Sequence, residues 1–211
     1  MGRKFIIKDS DFSEESEYIP YENIGALVGV SSNGAVIDTG IGYQDGMSIE
    51  VIAGMKNTFS GTGNVAAFLT GEKFSFDNSN GVAVSLFPAD APIAKLSLAY
   101  KGKYKSGYGA EFNKEFTIYV KPDSYVYNGT ETNFTTSREY IGSDEQLKLF
   151  ASNFDSGCIF VKSVKVYNNE GEILHNLVSA RRKEDGVILF WDKITDDVYL
   201  PNKGDLVFAD F

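Results

Sequence analysis

The stretch 147–199 decides the fold, and its sequence is LKLFASNFDSGCIFVKSVKVYNNEGEILHNLVSARRKEDGVILFWDKITDDVY. It contains four runs of strand-forming residues, which lie at 147–151, 159–167, 172–179 and 187–191. Turn-forming residues separate the later runs, at 168–171 and 181–186. This pattern predicts an antiparallel meander of four strands with no room for a helix. The stretch has the residues of a sheet and none that are typical of a reaction centre.

The rest of the chain from residue 24 onward also follows a β pattern. Short apolar or alternating runs are separated by Asn-Gly and Asp-Gly pairs, which are typical of two-residue hairpin turns. One such hairpin is predicted at Asn128-Gly129, with residues 134–138 as its returning strand. The only helical turn predicted is at residues 143–146. Roughly a dozen strands of about 4–7 residues predict an all-β, two-sheet antiparallel jelly-roll sandwich at 24–211, preceded by an N-terminal arm at 1–23.

Composition and charge exclude several classes of partner. The chain has 211 residues, of which 43% are hydrophobic, so one globular β domain is expected. The formal net charge is −9, and no sustained basic stripe exists for a nucleic-acid backbone or an anionic membrane surface. No apolar run approaches the ~20 residues of a membrane span. We therefore expect neither a nucleic-acid partner nor insertion into a membrane.

The chain has one cysteine, Cys158, and one histidine, His175. A single cysteine forms no disulfide within the chain and no thiolate cage for a metal. We interpret Cys158 as a buried thiol and His175 as a surface imidazole, and expect no catalytic cysteine–histidine pair. The charged residues Arg181, Arg182, Asp185 and Asp192 are expected to form ion pairs that fix loops.

The N-terminal arm carries the short apolar run Phe5, Ile6 and Ile7, which is too short for the core of a signal peptide. An acidic stretch without periodicity follows it. Two interpretations stay open: a loose terminus, or an assembly arm that adds its strand to the sheet edge of another chain.

No carboxylate pair predicts catalysis, because the adjacent acids Glu184-Asp185 and Asp196-Asp197 would point to opposite faces of an extended chain. The predicted catalytic set is therefore empty. The loop residues Asp77, Asn78 and Asn80 are interpreted as a turn. Their oxygen atoms leave a calcium site as an alternative, and no other cofactor is predicted.

Three tyrosines are the candidate ligand-binding residues. Tyr100, Tyr104 and Tyr108 recur every four residues in a segment rich in glycine and lysine. Exposed aromatic rings with polar neighbours bind sugar rings or partner surfaces. The alternative is that these rings only cover the edge of a sheet.

Several motifs resemble the concanavalin A-like, laminin-G-type jelly-roll domains of phage structural proteins and Bacteroides proteins. The motif Val-Ile-Asp-Thr-Gly-Ile at 36–41 is similar to Y-I-D-T-G-I in that group, and Leu-Phe-Ala-Ser-Asn at 149–153 is similar to L-F-A-x-N. The segment 161–168 resembles I-Y-S-F-K-I-Y-D, and 177–199 resembles F-V-P-A-R-R-x-x-D-G-V-x-G-L-Y-D-K-V-x-x-x-F-Y. Ser179 and Trp191 replace the proline and a tyrosine of that pattern. The opening segment 5–13 resembles the I-x-I-K-x-A-D-F-S start of many Bacteroides and Bacteroides-phage proteins.

The resemblance implies a non-enzymatic structural protein of a phage virion: a head fibre, a tail fibre or a capsid decoration. It implies assembly in the host cytoplasm, contact with other virion proteins and with copies of itself, and binding of host surface polysaccharide. Glucanase relatives carry a Glu-x-Asp-x-x-Glu strand, and no segment of this chain reproduces it. A bacterial carbohydrate-binding module is the first alternative, and a glycoside hydrolase or lyase is the second.

Overall fold

The computed structural model describes residues 18–20, 27–30, 36–55, 63–69, 82–87, 93–137, 139, 145–150, 159–202 and 204–208. Within these residues every regular element is a strand, and no helix is long and apolar enough to cross a membrane. The strands are β1 (Tyr18–Pro20), β2 (Leu27–Val30), β3 (Ile37–Gly42), β4 (Ser48–Met55), β5 (Gly63–Leu69), β6 (Val82–Phe87), β7 (Ile93–Tyr100), β8 (Lys103–Glu111), β9 (Glu115–Val120), β10 (Ser124–Tyr127), β11 (Thr130–Asn133), β12 (Thr136–Ser137), β13 (Gln146–Leu149), β14 (Ile159–Tyr167), β15 (Ile173–Arg182), β16 (Ile188–Asp192), β17 (Val198–Tyr199) and β18 (Asp205–Phe208).

The described strands form two antiparallel sheets. The larger sheet has 11 strands, with the order β11-β10-β9-β4-β14-β15-β16-β17; β1 pairs with β15, and β2 pairs with β14 and β18. The smaller sheet has 7 strands, with the order β12-β8-β7-β6-β5-β13-β3. The all-β, two-sheet antiparallel architecture predicted from the sequence is confirmed.

The core lies between the sheets, and period-two alternation produces it. In β9, Phe116, Ile118 and Val120 are buried, and the residues between them are partly exposed. In β7, Leu96 and Leu98 are buried on the face that meets the larger sheet. Alternating strands bury one face each, so two stacked sheets remove both apolar faces from water.

The predicted four-strand meander is wrong in its first strand. β14, β15 and β16 are consecutive neighbours in the larger sheet, as expected, and β17 extends them. β13 lies instead in the smaller sheet, between β5 and β3. Leu147, Lys148 and Leu149 are all buried there, as is typical of a strand with neighbours on both sides. Proximity along the chain is therefore a poor guide here, because the consecutive strands β13 and β14 lie in different sheets.

Two smaller predictions also differ from the structure. The hairpin turn at Asn128-Gly129 is confirmed, with φ of 46° and 85°, but its returning strand is β11 and not 134–138. Thr136–Ser137 pairs with β8 in the smaller sheet. The predicted helical turn at 143–146 is wrong at its last residue, because Gln146 begins β13.

The predicted arm includes β1, whose residues Tyr18–Pro20 pair with 180–182 of β15. The boundary at residue 23 stays a prediction. Phe5, Ile6 and Ile7 lie outside the described residues. The same is true of Cys158 and of the calcium alternative at Asp77, Asn78 and Asn80.

Candidate functional site

A cleft opens where the edge strands of the two sheets approach each other, since β3 ends the smaller sheet and β17 ends the larger. We call it the edge cleft, and its volume is about 590 Å³. The buried residues Ile41 and Met47 give it an apolar floor. Its lining consists of Thr39, Gly40, Ile41, Gly42, Gln44, Met47, Leu174, His175, Thr195, Asp197 and Tyr199.

The wall formed by β3 is held in place by its neighbour β13. The hydroxyl of Thr39 donates a hydrogen bond to the carbonyl of Leu147 at 2.8 Å and accepts one from the amide of Ile41 at 3.2 Å. The buried ammonium of Lys148 forms an ion pair with Asp38. The Asp-Thr pair of the sequence motif at 36–41 therefore joins two strands, and it positions 39–42 as one side of the cleft.

The opposite wall depends on the carboxylate of Asp192, whose side chain is 0% exposed. One carboxylate oxygen accepts hydrogen bonds from the amides of Asn176 at 2.9 Å and Ile194 at 3.0 Å. The amide of Asp192 also donates to the carbonyl of Asp197 at 2.8 Å. These bonds tie β15 to the turn between β16 and β17, so the residues of that turn have fixed positions beside the cleft.

His175 borders the cleft and is oriented by the same carboxylate. Its Nδ1 lies 2.6 Å from the second carboxylate oxygen of Asp192, and its side chain is 20% exposed. Because an ionised carboxylate only accepts hydrogen bonds, Nδ1 carries the proton, and in the neutral ring Nε2 is then an acceptor. His175 is thus an ordered, mostly buried residue, and its interpretation as a surface imidazole is wrong.

Thr195 links two carboxylates in the cleft wall. Its hydroxyl lies 2.7 Å from Asp197 and 3.0 Å from Asp192, so its single proton is donated to one of them at a time. Burial would raise the pKa of Asp192, but hydrogen bonds from Asn176, Ile194, His175 and Thr195 outweigh it and hold that pKa below its ordinary value.

Tyr199 completes this wall as a neutral hydroxyl group. Burial raises its pKa to about 12, and the charges of Asp192 and Asp197 act in the same direction. The phenol therefore stays protonated throughout the physiological pH range, so it can donate as well as accept hydrogen bonds.

The cleft combines an apolar floor with hydrogen-bonding groups of both kinds. Asp197 contributes acceptors, and Gln44, Thr195 and Tyr199 contribute both donors and acceptors. Hydroxyl-rich ligands such as sugars need this mixture, because each hydroxyl both donates and accepts. A glycosidase needs a carboxylic acid whose pKa is raised. Asp192 has the opposite shift, and its oxygens are occupied by hydrogen bonds.

The structure separates the tyrosines that the sequence suggested as one surface. Tyr100 is 4% exposed, and its hydroxyl donates to the carbonyl of Met47 at 2.9 Å and lies 3.1 Å from the hydroxyl of Tyr43. Tyr100 is a core residue, and its exposure as part of a binding surface is excluded. Tyr104 pairs with Ala99, so it lies on the face of the β7–β8 hairpin opposite to that of Tyr100, where it is half-buried. Tyr108 pairs with Leu96 after a register shift, and its side chain is outside the part of the chain that the structure describes. Ligand binding by Tyr104 and Tyr108 therefore stays a prediction.

The loop-fixing role expected for the charged residues near the strand ends is observed for two pairs. Arg182 and Asp185 form an ion pair of 3.5 Å across the β15–β16 turn, and Asp192 bonds His175. Among the described residues, no group of three or more His, Cys, Asp or Glu side chains is arranged to hold a metal ion. One sequence signal points to this wall of the cleft: an aspartate followed by a threonine three residues later, at 192 and 195, is typical of a side chain that caps a turn.

No family model and no curated protein matches this sequence. Among solved structures, the chain is similar to the native heptameric SAP-like pentraxin from Limulus polyphemus, with 9% identity, a TM-score of 0.51 and coverage of 88% of this chain and 95% of that chain. A legume lectin-like domain from Entamoeba histolytica matches more weakly, with 14% identity, a TM-score of 0.38 and coverage of 69% of this chain and 90% of that chain. At such identity the first likeness shows the fold alone. The chain is an all-β protein with a two-sheet antiparallel jelly-roll fold.

Proposed function

We propose that this chain is a non-enzymatic carbohydrate-binding protein, and that it serves as a structural component of a phage virion. The observation that carries the first part is the edge cleft. Its apolar floor, the carboxylate of Asp197 and the hydroxyls of Thr195 and Tyr199 suit a sugar residue that enters between the two sheets. The jelly-roll fold is compatible with this role but does not establish it.

The bonding around Asp192 supports binding without turnover. Hydrolysis of a glycoside requires one protonated acid and a second carboxylate on the other side of the scissile bond. Here Asp192 and Asp197 share one threonine hydroxyl, so both lie on the same wall. A glycoside hydrolase or lyase is therefore the less favoured alternative.

The virion role rests on the resemblance of segments 5–13 and 147–199 to phage and Bacteroides proteins. In this proposal the protein is a head fibre, a tail fibre or a capsid decoration that assembles in the host cytoplasm. Its partners are other virion proteins, copies of itself and host surface polysaccharide, and no nucleic acid or membrane is involved. The net charge of −9 supports the exclusion of nucleic acid. A bacterial carbohydrate-binding module would use the same cleft and is the main alternative.

Glycan binding is tested with the purified full chain on a glycan array, followed by titration of the best ligand. We expect Asp197→Asn and Tyr199→Phe each to weaken binding about five- to tenfold, since each removes a hydrogen bond of the kind that sugars use. Asp185→Asn is the matched control, because Asp185 lies in the neighbouring turn outside the cleft lining. Binding that is absent, or equally strong in all variants, would contradict the assignment of the cleft.

The non-enzymatic and virion parts are tested separately. Incubation with the bound polysaccharide should release no shorter products, and cleavage that is lost in Asp197→Asn would support the hydrolase alternative. Antibodies against the chain should label purified particles of a phage that encodes it. If particles are unlabelled while the glycan still binds, the carbohydrate-binding module is the better assignment.

A further inference from the structure

A second recess lies on the outer face of the larger sheet, away from the core. In β14 the side chains of Val164 and Val166 are buried, whereas Ser163 and Lys165 are partly exposed on the other face. Asn176 and Val178 of β15 pair with Lys165 and Ser163 and share that face. With Lys162 and Lys193 they surround a volume of about 210 Å³, which we call the lysine recess.

The lining of this recess is basic although the chain is acidic. Three of its residues, Lys162, Lys165 and Lys193, are lysines, and none of its lining residues is an acid. The whole chain has a net charge of −9 with only 20 lysines and arginines. Chance placement on such a chain does not favour three ammonium groups around one small volume, so the recess is a candidate site for an anion.

Two of the lysines form ion pairs on the side of the recess formed by β4 and β9. Lys165 is 2.7 Å from Glu50, and Lys162 is 3.2 Å from Glu115. These glutamates lie on strands β4 and β9, so they stand on the side away from β15. Each ammonium has three N–H donors, and partly exposed ion pairs contribute only about 0–1 kcal/mol. An anion over Ser163 can therefore be bound without breaking either pair.

An aromatic ring stands next to the recess. Trp191 pairs with Val178 and so lies on the same outer face, where it is half-buried. Its indole N–H donates to Asp196 at 2.7 Å, which fixes the plane of the ring. The ammonium of Lys193 is 5.9 Å from the ring centroid. A flat ring beside cations and an amide side chain is suited to a sugar that carries an anionic group, because the C–H face of the sugar stacks on the ring.

We infer that the lysine recess binds a carboxylate-bearing sugar residue, such as a uronic acid, within an acidic polysaccharide. The carboxylate lies among Lys162, Lys165 and Lys193, and the sugar ring lies toward Trp191. This site is separate from the edge cleft and goes beyond the proposed function, since it would hold even if the cleft bound nothing. A nucleic acid is disfavoured because the three lysines surround one small volume and do not form the extended basic stripe that a phosphate backbone needs.

Trp191 is the only tryptophan of the chain, so its fluorescence reports on ligands at the recess. We would titrate the full chain with oligogalacturonate and, in parallel, with the same oligomer as its methyl ester. The free acid should change the fluorescence saturably, with binding that weakens as salt rises, and the ester should bind about tenfold more weakly or not at all.

Lys165→Gln and Lys193→Gln should each weaken binding of the free acid about tenfold, which corresponds to the loss of one charge-assisted hydrogen bond. Lys95→Gln, at an exposed lysine of β7 in the smaller sheet, should bind like the unaltered chain, as should Asp197→Asn in the edge cleft. Thermal unfolding of each variant confirms that it is folded. Equal affinity for acid and ester, equal loss in Lys95→Gln, or tighter binding of a single-stranded oligonucleotide through the same lysines would each overturn the inference.

Discussion

Replacing Asp192 by asparagine should destabilise the protein substantially, although the two side chains have the same shape. The carboxylate of Asp192 is fully buried and has four hydrogen-bond partners, which are the backbone amides of Asn176 and Ile194 and the side chains of His175 and Thr195. The amide oxygen of asparagine can keep the two bonds from the backbone amides of Asn176 and Ile194. Its NH₂ group must then replace the oxygen that accepts from His175 and Thr195, so a donor would face two donors.

The expected loss follows from the two bonds that are removed. Hydrogen bonds to charged groups each contribute about 1.5–3 kcal/mol, and some of the loss is recovered when His175 changes its tautomer and accepts instead. We therefore expect Asp192→Asn to lower the free energy of unfolding by about 3 kcal/mol. For a chain of this size that corresponds to a decrease in Tm of about 6–12 °C.

Chemical denaturation at several pH values is the appropriate assay. The pKa of Asp192 is held below its ordinary value of 3.8, so its contribution is fully present above that pH. The contribution is lost as pH falls through the lowered pKa of the folded protein, because the carboxylate must then be protonated. The difference in stability between the unaltered chain and Asp192→Asn should thus shrink in acid.

Asp185→Asn is the matched control. Asp185 also accepts a hydrogen bond in a turn, from the backbone amide of Val187 at 3.0 Å, but its side chain is 43% exposed. It should cost less than about 1 kcal/mol. If Asp192→Asn costs as little as the control, or if its deficit is independent of pH down to the acid transition, then the buried carboxylate does not hold β15 and the β16–β17 turn together.

Two further substitutions test packing and charge burial, each by its effect on the free energy of unfolding. Gly54→Ala should cost about 2–3 kcal/mol, because an added Cβ would lie 2.1 Å from the ring of Phe160. Gly42→Ala is the control and should be close to neutral, because nothing lies within 4 Å of a Cβ added there. Equal effects of the two substitutions would contradict this packing. Asp38→Asn should cost about 3 kcal/mol, because it leaves the ammonium of Lys148 without its ion-pair partner, and that side chain is only 6% exposed to water. Lys148→Met should cost only about 1–2 kcal/mol, because the charge left behind is the carboxylate of Asp38, whose side chain is 30% exposed. The reverse order would show that the carboxylate is the buried partner.

The two-sheet class could be predicted from the sequence because its causes are local. Period-two alternation in β9 and the Asn-Gly turn after β10 depend only on neighbouring residues. The placement of β13 cannot be predicted in this way, because it depends on distant partners. β13 is buried and pairs with β5 and β3, which are far from it in the sequence. The strand that returns after Asn128-Gly129 is difficult to predict for a different reason. β11 is polar and largely exposed, so it lacks the apolar pattern of a strand.

The tyrosines show how a spacing can mislead when a turn interrupts it. Positions four apart on one strand share a face, but Tyr100 and Tyr104 are separated by the two-residue turn at 101–102, where φ is 40° and 83°. The residue opposite Tyr100 is Lys103, so Tyr104 faces the other way. A register shift beside Gly107, which has φ of 101°, changes the pairing again before Tyr108. The sequence contains the glycines, but their effect on the register appears only in the folded hairpin.

The motifs that are easiest to recognise in this chain are the ones that hold its strands together. Asp38 and Thr39 bind β3 to β13, and Asp192 binds β15 to the next turn. Asp197, a group available to a ligand, stands beside those anchors at a position where the resembled pattern specifies no residue. Since changes at Asp197 need not affect the anchors, ligand specificity can vary on an unchanged frame. The resemblance that identifies the fold is for that reason a weak guide to the ligand, and the ligand has to be inferred from the chemistry of the cleft and the recess.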